Sequence, residues 1–161
     1  MVHLQEPEAD PEEQRVMARR MFLKAKTLLL QERTAEAVRL LEESVKLNAD
    51  QDGAFEAWLL LGKVRMVNPA WSTRALEALQ AASRLKPKTG EPWGLMGELY
   101  HRKGFKANAV ACFKRALELD PSVPVPVDMT YLNEEPGPTS SSSSTNLLGR
   151  FRAILSRKEG E

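Results

Sequence analysis

Catalysis needs reactive side chains that converge, and this sequence disperses them. Its two histidines, His3 and His101, lie far apart, and Cys112 is the single cysteine. Neither a thiol with its base nor a set of metal ligands can be assembled from these three. Carboxylates come as neighbours, Glu12 with Glu13, Glu42 with Glu43 and Glu134 with Glu135, and adjacent residues diverge by about 100° on a helix, so such pairs do not close on one substrate. No glycine-rich phosphate loop is present in the sequence. His101 reads as a groove or surface residue and Cys112 as a small apolar filler. No catalytic residue, metal ligand or cofactor is assigned, and the chemistry that remains is recognition of another molecule.

The elements that would carry such recognition announce themselves by repetition. Trp58 and Gly62 recur as Trp93 and Gly97, each 35 residues on, while Ala75, Leu79, Ala82 and Pro87 recur as Ala109, Phe113, Ala116 and Pro121, each 34 residues on. One extra residue therefore sits between Gly62 and Ala75, and the loop Asn68-Pro69-Ala70-Trp71 is the place for it. A period of this length indicates stacked helical hairpins. Trp93, Gly97 and Tyr100 fall on one stripe of a first helix, and Ala109, Phe113 and Ala116 on the answering stripe of a second. Small residues beside large ones let two helices approach to about 8–10 Å. A glycine in mid-helix costs about 0.5–1 kcal/mol, so its recurrence at Gly62 and Gly97 points to close packing that offsets the cost. Pro87 and Pro121 stop the second helix of each hairpin.

This pattern resembles the tetratricopeptide repeat, whose motif runs Trp, Leu, Gly, Tyr, Ala, Phe, Ala, Pro over 34 positions. Trp93, Met96, Gly97, Tyr100, Ala109, Phe113, Ala116 and Pro121 fill the eight slots, with Met96 for the leucine. Trp58, Leu61, Gly62, Arg65, Ala75, Leu79, Ala82 and Pro87 fill them once more, with Arg65 in place of the tyrosine. A degenerate earlier copy lies over Met21, Lys24, Ala25, Leu28, Ala37, Leu41, Ser44 and Ala49. The resemblance implies an all-α, right-handed superhelical stack of three hairpins over residues 12–121, at about 18–51, 55–89 and 90–123.

In that family the first helices of the hairpins line a concave groove that receives an extended peptide or a helix. The matching positions are Arg19, Phe22, Lys26, Leu29 and Leu30, then Glu56, Leu59, Lys63, Met66 and Val67, then Glu91, Gly94, Glu98, His101 and Arg102. Of these, Arg19, Phe22, Lys26, Leu29, Leu59, Lys63, Met66, Glu98, His101 and Arg102 form the expected partner-binding set. Leu29, Leu30 and Val67 fit either groove or core. The set is apolar and basic at one end and polar at the other, suited to an amphipathic ligand of some acidic character. The family's clamp for chaperone C-terminal carboxylates is not expected, because its slots hold Phe22, Lys26, Leu60, Glu91 and Leu95. The tryptophan, glycine and proline slots, the serine run and the basic ending also differ from type III secretion chaperones of similar length. Asn68-Pro69-Ala70-Trp71 and the basic ending are similar to tetratricopeptide tails of multidomain bacterial proteins with J-domain or receiver modules. That likeness implies a bacterial origin and an adaptor or co-chaperone role, although no His-Pro-Asp triplet is present.

Composition is consistent with these expectations. In 161 residues the formal net charge is +1, which gives no global reason to expect nucleic acid. A single cysteine and no N-terminal apolar run of the signal type point to the cytoplasm. No stretch of about 18 apolar residues exists, so a membrane span is not expected. Residues 1–11 read as a flexible acidic arm and 122–145 as a Pro/Ser-rich linker. Residues 146–158 read as a short basic amphipathic helix with Leu147, Leu148, Phe151, Ile154 and Leu155 on one face. At that length it needs a surface to dock on: the repeats, a second copy, a partner or, least suited, a membrane. The alternative to an adaptor is a structural subunit that assembles through its repeats and exchanges this helix between copies.

Overall fold

The computed structural model describes residues 10–48 and 52–126. Six α-helices follow one another: α1 Pro11–Leu30, α2 Thr34–Leu47, α3 Asp52–Met66, α4 Ser72–Leu85, α5 Glu91–Arg102 and α6 Lys106–Leu119. There is no strand among the described residues. Each odd helix packs on the even helix that follows, and each pair packs on the next through α2 with α3 and α4 with α5. Among the described residues the chain forms the expected all-helical stack, with three hairpins.

The first helix starts where its sequence dictates. The Asp10 carboxylate accepts a hydrogen bond from the Glu12 amide at 3.0 Å, Pro11 occupies the first turn, and Glu12 and Glu13 face the helix dipole. At 20 residues α1 is the longest helix among the described residues. It extends before the first repeat slot.

Two buried clusters form the seams. Ala25, Leu28, Ala37, Leu41, Val45, Ala57, Leu61 and Ala78 join the first hairpin to the second. Phe55, Leu59, Met66, Ala75, Leu79, Ala82, Met96, Leu99 and Cys112 join the second to the third. Trp58 packs against both clusters and Trp93 against the second. The recurring glycines are holes, as their spacing predicts. A Cβ at Gly97 would lie 2.9 Å from three atoms of the Phe113 ring, and one at Gly62 would lie 2.6 Å from Leu79 Cδ2. Both partners are fully buried.

In the degenerate first copy Ala25, Leu28, Ala37, Leu41 and Ser44 are buried, while Lys24 is exposed. The equivalent residues Leu61 and Met96 pack on a preceding hairpin. Among the described residues no hairpin precedes α1, so its slot faces water and a lysine is stable there. The Ser44 hydroxyl donates to the Ala18 carbonyl at 2.8 Å, tying α2 to α1.

The extra residue of the middle repeat falls in the loop that the spacing indicated. Pro69–Trp71 form one 3-10 turn, with Asn68 Oδ1 accepting from the Ala70 amide at 3.0 Å and the Ser72 hydroxyl donating to the Pro69 carbonyl at 2.6 Å. After α6 the chain turns back on the third hairpin. Val123 is buried against Gly90, Gly94 and Ala116, and Val125 packs on Ala109 and Phe113. Most of the acidic arm, the linker beyond residue 126 and the terminal helix with Leu147, Leu148, Phe151, Ile154 and Leu155 lie outside the described residues.

Candidate functional site: the row of first helices

The odd helices α1, α3 and α5 stand side by side, and their repeat register brings matching positions into rows. Leu30 ends α1 and Val67 follows α3 at the same slot; they are 87% and 82% exposed. Of the two environments that the sequence left open for them, the structure gives water. Arg102 holds this slot on α5; it donates to the Met66 carbonyl at 3.2 Å and pairs with Glu98 at 3.5 Å. A cation at the C-terminal end of α3 satisfies a carbonyl that the helix leaves free.

The charged members of the row are joined across helices. Lys63 on α3 pairs with Glu91 on α5 at 2.5 Å, and Lys86, just after α4, pairs with Glu56 on α3 at 3.1 Å while lying 4.4 Å from the centre of the Phe55 ring. Positive charge on the first helix is less engaged. Lys26 lies 5.7 Å over the Phe22 ring, and Arg19 is exposed. The basic character of the row therefore concentrates on α1.

The ten expected residues divide by burial. Arg19, Lys26, Lys63 and Arg102 are exposed, and Phe22, Leu29, Glu98 and His101 are half-buried. Leu59 and Met66 are buried in the seam between the second and third hairpins. Those two line the row from behind and do not form its open surface, because each faces the hairpin that follows. Gly94 is closed off too, since a Cβ there would lie 2.5 Å from Val123 Cγ1.

Sequence reasoning missed one polar contact. Arg65, in the slot where the motif has tyrosine, is 9% exposed. Its guanidinium donates to Glu42 on α2 at 2.5 Å and to the Arg74 carbonyl on α4 at 3.2 Å, so one side chain connects three helices. The available signal was an arginine in an aromatic slot with a carboxylate one hairpin back. Among the described residues no group of three or more His, Cys, Asp or Glu could hold a metal ion. Burial pushes the Cys112 thiol up to about 11, which keeps it neutral and a poor nucleophile. No helix among the described residues is long and apolar enough to cross a membrane.

Comparison with known proteins agrees with this architecture. Residues 90–123 match the family model described as Tetratricopeptide repeat. Tetratricopeptide repeat protein 5 of Bos taurus is 35% identical over 82 residues, which are 51% of this chain and 19% of the relative. Cellulose synthase operon protein C of Escherichia coli K12 is 44% identical over 55 residues, 34% of this chain and 5% of the relative. The chain thus spans a minor part of the length of either protein. Among solved structures, the Arabidopsis OM64 TPR domain superposes with a TM-score of 0.60 at 17% identity, covering 68% of this chain and 87% of that one. The Yersinia enterocolitica type III secretion chaperone SycD, in complex with a peptide of the translocator YopD, superposes with a TM-score of 0.59 at 16% identity, covering 87% and 93%. At these identities the two likenesses establish the fold and leave function open.

Proposed function

From a chain built of tetratricopeptide repeats, we propose a non-enzymatic adaptor that holds a segment of another protein along α1, α3 and α5. Tetratricopeptide proteins as a class mediate protein–protein interaction, and SycD carries its peptide on the same fold. The observation that carries the reading is the pair Leu30 and Val67, two large apolar side chains left in water at one repeat register on successive hairpins. Exposed apolar groups aligned along a row mark a binding surface more than scattered ones do. Phe22 and Leu29 supply further apolar contact, and Arg19 and Lys26 favour a ligand of acidic character, extended or helical. Lys63 contributes less charge than the sequence implied, because Glu91 already neutralises it. An adaptor, co-chaperone or assembly role in the cytoplasm of a bacterium is the biological setting we attach to this surface.

The test is site-specific photocrosslinking in the native cell. A photoreactive benzoylphenylalanine replaces Val67 in one protein and Glu77, exposed on α4, in another. A discrete protein adduct from position 67 and none from 77 is the expected result. Adducts from neither position, or equal adducts from both, would overturn the assignment.

A further inference from the structure

The outer face of α1 carries a second apolar line, which shares Leu30, Arg19 and Lys26 with the row of first helices and extends away from it through Val16, Arg20, Leu23 and Lys24. Val16, Leu23 and Leu30 recur every seven residues and so lie along one line of the helix, drifting by about 20° per step. They are 45%, 49% and 87% exposed. Helical geometry sets Arg20 and Lys24 on one side of this line and Arg19 and Lys26 on the other. All four cations are exposed, and no ion pair among the described residues engages any of them. From residue 14 to residue 31 the chain has five cations, Arg15 included, and no carboxylate. An apolar line with cations along both edges runs the length of the helix.

Repeat register says what such a line is shaped to meet. Leu23 corresponds to Leu60 and Leu95, Lys24 to Leu61 and Met96, and Thr27 to Val64 and Leu99. In the second and third hairpins Leu60, Leu61, Leu95, Met96 and Leu99 pack on the hairpin before, chiefly on its second helix. Of the line on α1, Leu23 lies at one of these slots, with no helix against it among the described residues, and Val16 and Leu30 continue it one heptad before and after. Where the later hairpins are apolar at these slots, α1 has Arg20 for Ala57 and Pro92, and Lys24 for Leu61 and Met96.

We infer that the outer face of α1 docks an acidic amphipathic helix of a partner protein, seated as the second helix of a preceding hairpin would be. Charge favours this occupant over the chain's basic ending and over a second copy offering α6. The chain's own segment 146–158 carries Arg150, Arg152, Arg157 and Lys158 and is repelled by the cations of α1. A second copy offering α6 brings Lys106, Lys114 and Arg115 against Glu118 alone, with Arg115 and Glu118 already paired. A helix with leucines at heptad spacing and glutamates beside them meets both the apolar line and its cationic edges.

The experiment uses the full chain and two designed peptides of one length, with leucine at heptad positions and glutamate elsewhere in the first, lysine in place of glutamate in the second. Binding is read by fluorescence anisotropy and peptide helix formation by circular dichroism, alongside sedimentation with vesicles of phosphatidylcholine and phosphatidylserine. The glutamate peptide is expected to bind and gain helix, and the lysine peptide to stay free. V16D with L23D, and separately R20E with K24E, are expected to weaken binding by about tenfold or more, with unchanged helix content of the protein. V67D, which alters the row of first helices, is expected to leave this binding in place. Loss with V67D and retention with V16D and L23D would move the peptide to that row and overturn the inference without touching the adaptor reading. Binding of both peptides alike, or of vesicles in place of the glutamate peptide, would overturn it as well.

Discussion

A hydrogen atom in place of a methyl lets α5 lie against the Phe113 ring. With a methyl at position 97 the Cβ would sit 2.9 Å from the Phe113 ring, a rigid and fully buried group. Helix propensity alone would favour alanine by about 0.5–1 kcal/mol, and overpacking costs about 1–3 kcal/mol. Gly97→Ala is expected to be net destabilising, by about 1 kcal/mol or more, measured as a lowered denaturant midpoint with an unchanged slope. Arg65 poses the opposite case, a charge retained inside a seam. Its carboxylate partner Glu42 keeps 37% of its side chain in water, so truncating the arginine returns that carboxylate to solvent and does not bury it unpaired. Arg65→Ala therefore loses two hydrogen bonds and the packing of the stem, about 2 kcal/mol. Cys112 supplies a pH dependence. Its folded value of about 11 lies above the thiol's ordinary value of 9.0, so the folded state holds this proton more tightly. Its stabilising contribution is complete below pH 9 and is lost as pH rises from 9 towards 11. At pH 8 a disulfide reagent should label native protein more than about tenfold slower than denatured protein.

At the scale of elements, the turns between paired helices show how one geometry is reached from two sequences. Gly104 adopts a φ of 78°, with the Phe105 amide donating to the Tyr100 carbonyl at 2.9 Å. The first hairpin repeats this turn slot for slot: Glu32 has a φ of 61°, and the Arg33 amide donates to the Leu28 carbonyl at 2.9 Å. Such a helix ending favours glycine, because a Cβ is strained in the left-handed region. Glu32→Gly is expected to stabilise the protein by about 0.5–1 kcal/mol, and Gly104→Ala to destabilise it by about as much, both read from thermal midpoints. What could be read in the sequence follows the same division. The paired helices and their glycine holes were legible because Trp58, Gly62, Trp93 and Gly97 recur at fixed distances. The turn at Glu32 was not, since its residue type carries no sign of the conformation that the repeat imposes. The matching positions on the first helices could be read as a register, but Leu59 and Met66 lie inside the seam because position in a repeat does not say how far the next hairpin covers it. Leu30 and Val67 could not be placed in groove or core until the ends of α1 and α3 were known. The contact from Arg65 to Glu42 spans 23 residues and belongs to neither helix's own pattern.

For the whole molecule, stability spreads from neighbour to neighbour. The extensive helix contacts join each helix to the next in order, so the first hairpin supports the third through the second. A stack of this kind frays from its ends, and each end is only as firm as what covers it. Residues after α6 cover one end: Val123 is 9% exposed, and its Cγ1 occupies the space left by Gly94. An aspartate there would bring a charge into the buried space beside Gly90 and Gly94, a change worth about 3 kcal/mol. In a molecule with a single central core that loss would loosen every helix alike. Here Val123→Asp is expected to speed amide hydrogen exchange in α5 and α6 first, with α1 and α2 keeping most of their protection. Uniform acceleration across all six helices would contradict nearest-neighbour stacking, and unchanged exchange in α5 and α6 would show that Val123 does not hold that end closed.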